Sequence, residues 1–467
     1  MIVIEIFILA CVVGMAFFAL DDLWVDLLSL IYRAKPEQIS AQLESLMTEA
    51  PQKKIAVMVA NWQEEDVIQA MVQGNLSRVD YENFYFFLGV YPNDTETLKK
   101  AKALEQWHSR VVTVVNSKPG PTSKGQMMNE CAQAVFDAEE ILGVVFDVMM
   151  MHDSEDVIHP KSLQLVNHFM DSSDFLQLPV YSFNLPKNEI VGATYLDEFS
   201  EHHTKELILR SKMQLAVPSA GTGTAMSRRL VQALSRAQNG QLLKEDTLTE
   251  DYHLGNLSHR LGFRTRFLCY FFKKDGERDF VATREYFPKR FASSIRQKTR
   301  WCIGILFQGG KNLGWSGTLW DRYFLWRDRR GLYNTFLTLG SVLVFTFIMM
   351  RFLHWLPAFS FESSQIFWSI SVFNLVSLCI RFLVRMHAVA LVNDPSQSLM
   401  VPIRWWVANV INTWACLKAW KQFRESEKNG TAPKWVKTQH ELPPGFGLQE
   451  LAPESQIGPG HKTGSFP

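Results

Sequence analysis

The chain has 467 residues, which is room for one large domain and further segments, and its formal net charge of +1 gives no basic excess that would indicate nucleic-acid binding. The mean hydropathy of -0.05 is high for a soluble enzyme and indicates membrane segments. The six cysteines are scattered without a CxxC pair, which argues against a disulfide framework or a zinc site and places the bulk of the chain in a reducing compartment.

Four apolar stretches are candidates for membrane helices. Met1–Leu20 predicts a retained N-terminal span; a signal peptide is the rival, but the stretch lacks a basic start and a small-residue cleavage site. Gly331–Met350 and Ser363–Ile380 carry no charge and predict two more spans. Trp405–Leu417 is short and bracketed by basic residues, so it fits an interfacial helix better than a span.

Basic residues lie mainly on one side of the three predicted spans, and the stretch between the second and third spans has only Arg351. Arg33 and Lys35 follow the first span, four arginines within residues 322–330 precede the second, and Arg381 and Arg385 follow the third. Because Lys and Arg are enriched on the cytoplasmic side, this pattern predicts an outside N-terminus and a cytoplasmic tail. We expect the last two arginines to snorkel towards the membrane interface.

Between residues 53 and 272 strands and helices alternate. The predicted strands are Lys54–Asn61, Phe84–Tyr91, Arg110–Val115 and Gly143–Met151, and helices are predicted to begin near Asp66, Thr95 and Lys124. Such alternation predicts an α/β fold with a doubly wound, mostly parallel sheet, in which ligands bind at the carboxyl ends of the strands. No G-x-G-x-x-G follows the first strand and no P-loop motif is present, which argues against a nicotinamide enzyme and a P-loop NTPase.

Three acids follow the fourth strand in the stretch "HDSEDVIHP" of residues 152–160: Asp153, Glu155 and Asp156. Carboxylates at a strand end suit a hard divalent cation such as Mg²⁺ or Mn²⁺, which could hold a diphosphate. The ordinary alternative is a helix cap followed by acids in a first helical turn. Taken alone, the stretch favours that alternative.

Two further stretches can likewise be interpreted either as part of a binding site or as an ordinary structural feature. The stretch "KPGPTSKGQMMN" (Lys118–Asn129) is a Gly/Pro loop with two lysines before a helix, which suits phosphate binding but also an ordinary turn with solvated lysines. The stretch "LTEDYHLG" (Leu248–Gly255) places Glu250 and Asp251 before an apolar helix, as a Thr-capped helix start also would.

The stretch "SIRQKTRW" (Ser294–Trp301) precedes the second predicted span. It places Gln297 and Arg300 on one helical face, and Trp301 shares a face with Gln297. A basic interfacial helix with an aromatic anchor would look the same. The Gly-rich stretch Ser219–Arg229 fits an acceptor-binding loop and a structural turn equally well.

The order of these motifs resembles the membrane-bound family 2 glycosyltransferases, the group with the cellulose, chitin and hyaluronan synthases. A strand-end Asp, a Gly/Lys loop, the acid cluster, T-E-D and Q-x-x-R-W occur in that order before membrane helices, over about Lys53 to Trp301. The phrases "YPNDTET", "HDSEDVIHP" and "WVKTQH" (Trp435–His440) are similar to one branch, the bacteriophage adsorption protein B type.

The resemblance implies a GT-A-like doubly wound sheet with flanking transmembrane helices, in a multi-pass protein of the bacterial inner membrane whose catalytic domain is cytoplasmic. The expected division is an N-terminal span (1–20), a linker (21–52), a GT-A domain (53–300), interfacial helices (301–330), a transmembrane and interfacial region (331–420) and a cytoplasmic tail (421–467).

The resemblance also implies a role for each residue on the donor side. Asn61, Glu64 and Asp94 would hold the uridine end of a UDP-sugar, and Lys124 would approach the diphosphate. The second D-x-D position differs from the family pattern, because it is Glu155 rather than Asp.

At the D-x-D positions, Asp153 and Glu155 would bind a Mg²⁺ or Mn²⁺ ion, and Asp153 also the donor. Asp156 follows directly, so the sequence leaves open whether Glu155 or Asp156 reaches the metal.

On the acceptor side, the resemblance implies that Asp251 is the general base. Glu250, Gln297, Arg300 and Trp301 would line the acceptor and diphosphate region. The expected function is that of an inverting glycosyltransferase that moves a sugar from a nucleotide-sugar donor to a glycan or lipid-linked acceptor for envelope polysaccharide synthesis.

Two alternatives stay open. A membrane scaffold or receptor component could keep the transferase fold without needing catalysis. A hydrolase using Asp153 and Asp251 fits less well, because it leaves the Lys loop and Q-x-x-R-W unexplained. Three spans are few for a polymer channel, so we expect an export or outer-membrane partner, self-association or a lipid acceptor. No motif identifies the sugar.

Overall fold

The computed structural model describes residues 2–274, 276–430 and 441–447, so the predicted motif "WVKTQH" lies outside the described residues. The described chain divides into two units. The helical unit comprises residues 2–35, 184–213 and 288–430, and the α/β unit comprises residues 36–183, 214–274, 276–287 and 441–447.

A seven-stranded sheet forms the centre of the described α/β unit. Its order is β10-β7-β9-β5-β2-β3-β4. The strands are β2 (Ile55–Ala60), β3 (Phe84–Val90), β4 (Val111–Val115), β5 (Val148–His152), β7 (Phe175–Gln177), β9 (Thr224–Ser227) and β10 (Thr265–Phe267). The pairs β2–β3, β2–β5, β3–β4 and β7–β10 are parallel, whereas β9 runs antiparallel to β5 and β7. The prediction of a mostly parallel, doubly wound sheet is confirmed.

Most side chains of β2, β3 and β5 are buried, because helices cover both faces of the sheet. The helices of this unit are α2 (Ala41–Glu49), α3 (Ile68–Arg78), α4 (Thr95–Trp107), α5 (Lys124–Leu142), α6 (Ser162–Phe169), α9 (Arg228–Ala237) and α10 (Glu250–Arg260). The strand β5 begins later than predicted, because Gly143 adopts φ +61° and ends α5.

Two small sheets complete the described part of this unit. One has the order β1-β11-β12, with β1 (Glu37–Gln38), β11 (Tyr270–Lys274) and β12 (Glu277–Phe280). The other has the order β6-β13-β8, with β6 (Val157–Ile158), β13 (Thr283–Glu285) and β8 (Val180–Ser182). Because β13 pairs antiparallel with β6, its end lies beside the acids that follow β5.

Three helices in the described residues are long and apolar enough to cross a membrane: α1 (Ile2–Ile31), α14 (Gly331–Phe352) and α15 (Gln365–Val392). Their number agrees with the prediction, but α1 continues through part of the predicted linker. The predicted short helix 405–417 is part of a longer helix, α16 (Val401–Asn429), which does not meet the same criteria for a span.

The rest of the helical unit consists of shorter helices. They are α7 (Ile190–Glu201), α8 (Leu207–Lys212), α11 (Phe291–Cys302), α12 (Gly309–Leu313) and α13 (Leu319–Arg329), with π-helical segments at His202–Glu206 and Ile303–Gln308 and 3₁₀ turns at Ser360–Ser363 and Pro395–Met400.

Half-buried ion pairs join α15 to other helices of this unit, which corrects the expectation that Arg381 and Arg385 snorkel. The Arg385 Nε donates to Glu201 on α7 at 2.7 Å. Arg381 pairs with the same carboxylate and, at 3.1 Å, with Asp26 on α1. The two arginines therefore hold α15 against α7 and α1, and the acids of α1 are partnered within the protein.

Candidate active site

Lys124, Asp153 and Asp251 converge at the carboxyl edge of the sheet. The Lys124 ammonium forms an ion pair with Asp153. A Cβ added to Gly221 would lie 2.9 Å from Asp251 Oδ2 and 3.5 Å from Lys124 Nζ, so these two side chains approach one bare stretch of backbone, and Asp153 joins them through its ion pair with Lys124. Burial lowers the pKa of Lys124, but the charges of Asp153, Glu250 and Asp251 outweigh burial and raise that pKa above its usual value. The lysine is therefore a fixed cation.

The acid after Glu155 points into the protein. Asp156 is fully buried, and its Oδ2 accepts the backbone N–H of Asp153 at 2.8 Å. The same oxygen contacts His152 Nδ1 at 2.7 Å and accepts the Thr222 hydroxyl. This oxygen of Asp156 shapes the turn after β5, whereas its Oδ1 has no hydrogen-bond partner among the described residues, and Glu155 is buried beside it. The choice between Glu155 and Asp156 as the second acid of the site stays a prediction.

The loop of residues 219–224 is fixed by one buried amide. Gln177 Oε1 accepts the N–H of Ala220 at 2.9 Å, and its Nε2 donates to the carbonyl of Thr222 at 2.9 Å. Gly221 lies between them with φ +83°, a conformation that favours glycine. The loop thus brings a backbone without a side chain against Asp251.

The helix α10 is placed so that its first turn faces this loop. A Cβ on Gly255 would lie 2.4 Å from the carbonyl oxygen of Val217 and 2.7 Å from the Ser219 nitrogen, so the helix backbone packs directly on the chain before the loop. Glu250 is buried, and Asp251 Oδ1 accepts the following backbone N–H at 2.7 Å. Both acids of T-E-D therefore lie at the start of a tightly packed helix.

The residues predicted to hold uridine lie after β2 and β3, and they also fix those loops. The Asn61 amide donates to carbonyls on β2 and β3 at 3.0 and 3.1 Å, while its buried Oδ1 has no hydrogen-bond partner among the described residues. Asp94 accepts the N–H groups of Gln63 and Thr97. The N–H of buried Glu64 donates to the Thr97 hydroxyl at 3.0 Å.

Glu285, at the end of β13, is a site residue that the sequence did not single out. Burial and the neighbouring charges of Glu155, Asp156 and Asp153 raise the pKa of Glu285 well above its usual value. The pairing of β13 with β6 brings Glu285 beside these acids, and no local sequence motif predicts that pairing.

Carboxylates therefore outnumber cations in this part of the α/β unit, which is an arrangement that a divalent cation would balance. Within the described residues, no three His, Cys, Asp or Glu side chains come together as a complete metal site. A Mg²⁺-type ion needs only one or two carboxylates when phosphates and water supply its other ligands. Asp153 and Glu155 fit that requirement.

The other predicted residues, Gln297, Arg300 and Trp301, lie on α11 of the helical unit. The Trp301 ring contacts Tyr195 edge-to-face at 5.9 Å and lies 6.0 Å from the Phe199 ring. The helix thus presents the Q-x-x-R-W motif in an aromatic setting, as the alternative of an aromatic anchor also predicted.

A family model described as "Glycosyltransferase like family 2" matches residues 51–304, which is more than half of the chain. The chain belongs to this family. The α/β unit accordingly has a GT-A fold, and residues 51–304 carry the family 2 glycosyltransferase domain.

Two curated relatives extend the comparison beyond that domain. Bacteriophage adsorption protein B of Escherichia coli (strain K12) is 32% identical over 465 residues, which cover 94% of this chain and 62% of the relative. Bacteriophage N4 adsorption protein B of Escherichia coli O157:H7 gives the same values. The chain thus spans about 62% of the length of each of these relatives.

A solved structure, the mannosyltransferase PcManGT from Pyrobaculum calidifontis in complex with GDP-Man and Mn²⁺, is similar with a TM-score of 0.55. The likeness covers 89% of this chain and 99% of that chain at 12% sequence identity. At this identity it shows a shared fold.

Proposed function

We propose that this protein is an inverting glycosyltransferase that moves a sugar from a nucleotide-diphospho-sugar to a hydroxyl of a glycan or lipid-linked acceptor for envelope polysaccharide synthesis. The observation that carries the proposal is the approach of Lys124 and Asp251 to Gly221, with Asp153 held by its ion pair with Lys124. A cation, a carboxylate for the metal and a carboxylate that acts as base are the groups that such a transfer requires.

The donor side of the proposal uses residues of the α/β unit. Lys124 holds the diphosphate, and Asp153 with Glu155 holds Mg²⁺ or Mn²⁺, which would neutralise charge on the leaving diphosphate. The complex of PcManGT with GDP-Man and Mn²⁺ supports a metal and a nucleotide-sugar. The nucleotide itself would lie against Asn61 and the acids Glu64 and Asp94.

On the acceptor side, the proposal assigns the role of general base to Asp251. Its carboxylate takes the proton of the acceptor hydroxyl while that oxygen forms a bond to the anomeric carbon. The bond between the anomeric carbon and the diphosphate oxygen breaks, and the nucleotide diphosphate leaves with the electron pair. Attack from the face opposite the leaving group inverts the configuration. General-base catalysis of this kind contributes about 10²–10⁴-fold.

The remaining predicted residues have supporting roles in the proposal. Glu250, Gln297, Arg300 and Trp301 would line the acceptor and diphosphate region, with the indole available for stacking on a sugar face. The three candidate membrane helices support a multi-pass protein of the bacterial inner membrane, with the GT-A unit in the cytoplasm.

The test is nucleotide release by detergent-solubilised protein from a panel of UDP- and GDP-sugars, with Mn²⁺, with Mg²⁺ and with chelator. We expect one donor to be turned over only with metal. Turnover that chelator leaves unchanged would refute the metal assignment. If no donor is turned over with any acceptor extract or metal, although the nucleotide binds, the proposal that this protein is a glycosyltransferase is refuted.

A receptor or scaffold role without catalysis is a second candidate, because the two curated relatives are named as bacteriophage adsorption proteins. The Asp251→Asn variant separates the two functions. If this variant restores phage adsorption fully in cells that lack the protein while it transfers no sugar, adsorption does not need catalysis.

A further inference from the structure

The short segment Glu441–Gly447 packs on helix α3 of the α/β unit. A Cβ added to Gly447, whose φ is +67°, would lie 1.9 Å from the carbonyl oxygen of Ala70 and 2.8 Å from the nitrogen of Gly74. At such distances the backbone of the segment lies directly on the backbone of the helix. A side chain at position 447 would therefore force the two apart.

Phe446, the residue before Gly447, covers α3 with its aromatic ring. A Cβ on Gly74 would lie 2.5 Å from a ring carbon of Phe446. The Arg78 guanidinium lies 5.8 Å from the ring centroid, and Leu442 packs against the apolar core of the sheet. Apolar packing, a cation–π contact and a backbone contact thus hold the segment on α3.

The helix under this segment also binds the backbone that directly follows the proposed metal-binding acids. Asn75, the neighbour of Gly74, is fully buried. Its Nδ2 donates to the carbonyl of Asp156 at 2.8 Å, and its Oδ1 accepts the N–H of Ile158 at 2.9 Å. One side chain of α3 therefore clamps the backbone on both sides of Val157, directly after the metal-binding acids.

Helix α3 depends on its neighbours for its position. It has 11 residues, and its N-cap is Val67, whose side chain cannot accept a hydrogen bond. Isolated helices of this length are marginal in water, so tertiary packing has to fix it. The segment supplies part of that packing on the residues next to Asn75.

We propose that residues 441–447 form a positioning strap, which docks on α3 and, through Asn75, fixes the backbone of the acid segment that binds metal and donor. The metal and donor part of this inference rests on the proposed function. The mechanical part, from strap to helix to acid segment, does not.

The first test compares three full-length variants. Gly447→Ala lifts the strap by a backbone clash, Phe446→Ala removes its ring, and Pro444→Ala, an exposed position in the same segment, is the matched control. For the first two we expect the metal concentration for half-maximal turnover and the donor KM to rise about tenfold, with kcat within about twofold, because binding geometry and not the base is disturbed. The control should behave as the wild type.

A second measurement needs no turnover, so it separates failure of the strap from failure of the proposed function. In Gly447→Ala the amide of Ile158 should exchange its hydrogen at least about tenfold faster, while amides of β3 keep their protection. Faster exchange throughout the sheet would instead indicate general destabilisation and overturn the strap. Unchanged exchange at Ile158 would also overturn it.

A double-mutant cycle checks that the contact itself is responsible. Gly74→Ala alone crowds the ring of Phe446, whereas in the Phe446→Ala background the added methyl group has room. The double variant should therefore be no worse in metal half-saturation than Phe446→Ala alone. Effects that simply multiply would contradict a direct contact between the strap and α3.

Discussion

Gly221→Ala is the most specific perturbation of the candidate active site. The change adds one methyl group and removes no charged or hydrogen-bonding group. The backbone at this position has φ +83°, which an alanine tolerates at a cost of about 1–2 kcal/mol. The new Cβ would lie 2.9 Å from Asp251 Oδ2, closer than van der Waals contact allows, and 3.5 Å from Lys124 Nζ.

The expected magnitude follows from these two distances. The lysine is already at contact distance and can stay, so the carboxylate of Asp251 has to move by a few tenths of an ångström. Displacement of a catalytic group by 1 Å costs about 10²-fold, so this smaller shift should lower kcat about tenfold. The loss of folding stability should be about 1–2 kcal/mol, which leaves the protein folded.

Gly262→Ala is the matched control. Gly262 has φ +81°, and no atom of the described structure lies within 4 Å of its added Cβ. It carries the same backbone strain without the contact to Asp251. The assay compares kcat and melting temperature of both variants with the wild type. If kcat were the same in the two variants, the contact between the added methyl group and Asp251 could not be the cause of the loss in Gly221→Ala.

Three further predictions concern metal, pH and burial. Asp153→Asn removes a proposed metal ligand, so the metal concentration for half-maximal nucleotide release should rise about tenfold or more, as a metal titration would show; an unchanged titration would exclude Asp153 as a ligand. Burial and the charges of two basic neighbours lower the pKa of His253 to about 4, so the unfolded chain binds the proton first and stability falls as pH drops from about 6.5 to 4. His253→Gln should recover about 1–3 kcal/mol of that loss, seen as a flatter melting temperature between those pH values, whereas an unchanged slope would contradict it. Arg404 pairs with Asp197 at 2.6 Å, so Arg404→Met leaves Asp197 buried without a partner and should lower the free energy of unfolding by about 3–5 kcal/mol. The double variant Arg404→Met with Asp197→Leu should have a higher melting temperature than Arg404→Met alone.

The sequence predicted the sheet well, because its evidence is local. Buried parallel strands are continuous apolar runs, and the acids, the Lys loop and T-E-D lie within a few residues of recognisable element ends. The three candidate membrane helices of the described residues were also predictable, since length and hydropathy define them.

What the sequence could not show are contacts between distant segments. The approach of Gly221 to Asp251 depends on the antiparallel strand β9, which is short and has no distinct pattern. Glu285 lies beside the acids after β5 only because β13 pairs with β6. In the sequence, Asn75 looks like any polar residue of a helix, and nothing predicts its hydrogen bond to Asp156. The ion pair of Arg385 with Glu201 likewise joins segments far apart in the chain.

The most direct test of the account is the rate of nucleotide release by the Asp251→Asn variant beside the wild type, with the turned-over donor, Mn²⁺ and acceptor. The substitution keeps size and shape but removes the proton acceptor. We predict a fall of about 10²–10⁴-fold with nucleotide binding and melting temperature retained. Release at the wild-type rate would contradict Asp251 as the general base and, with it, the proposed mechanism.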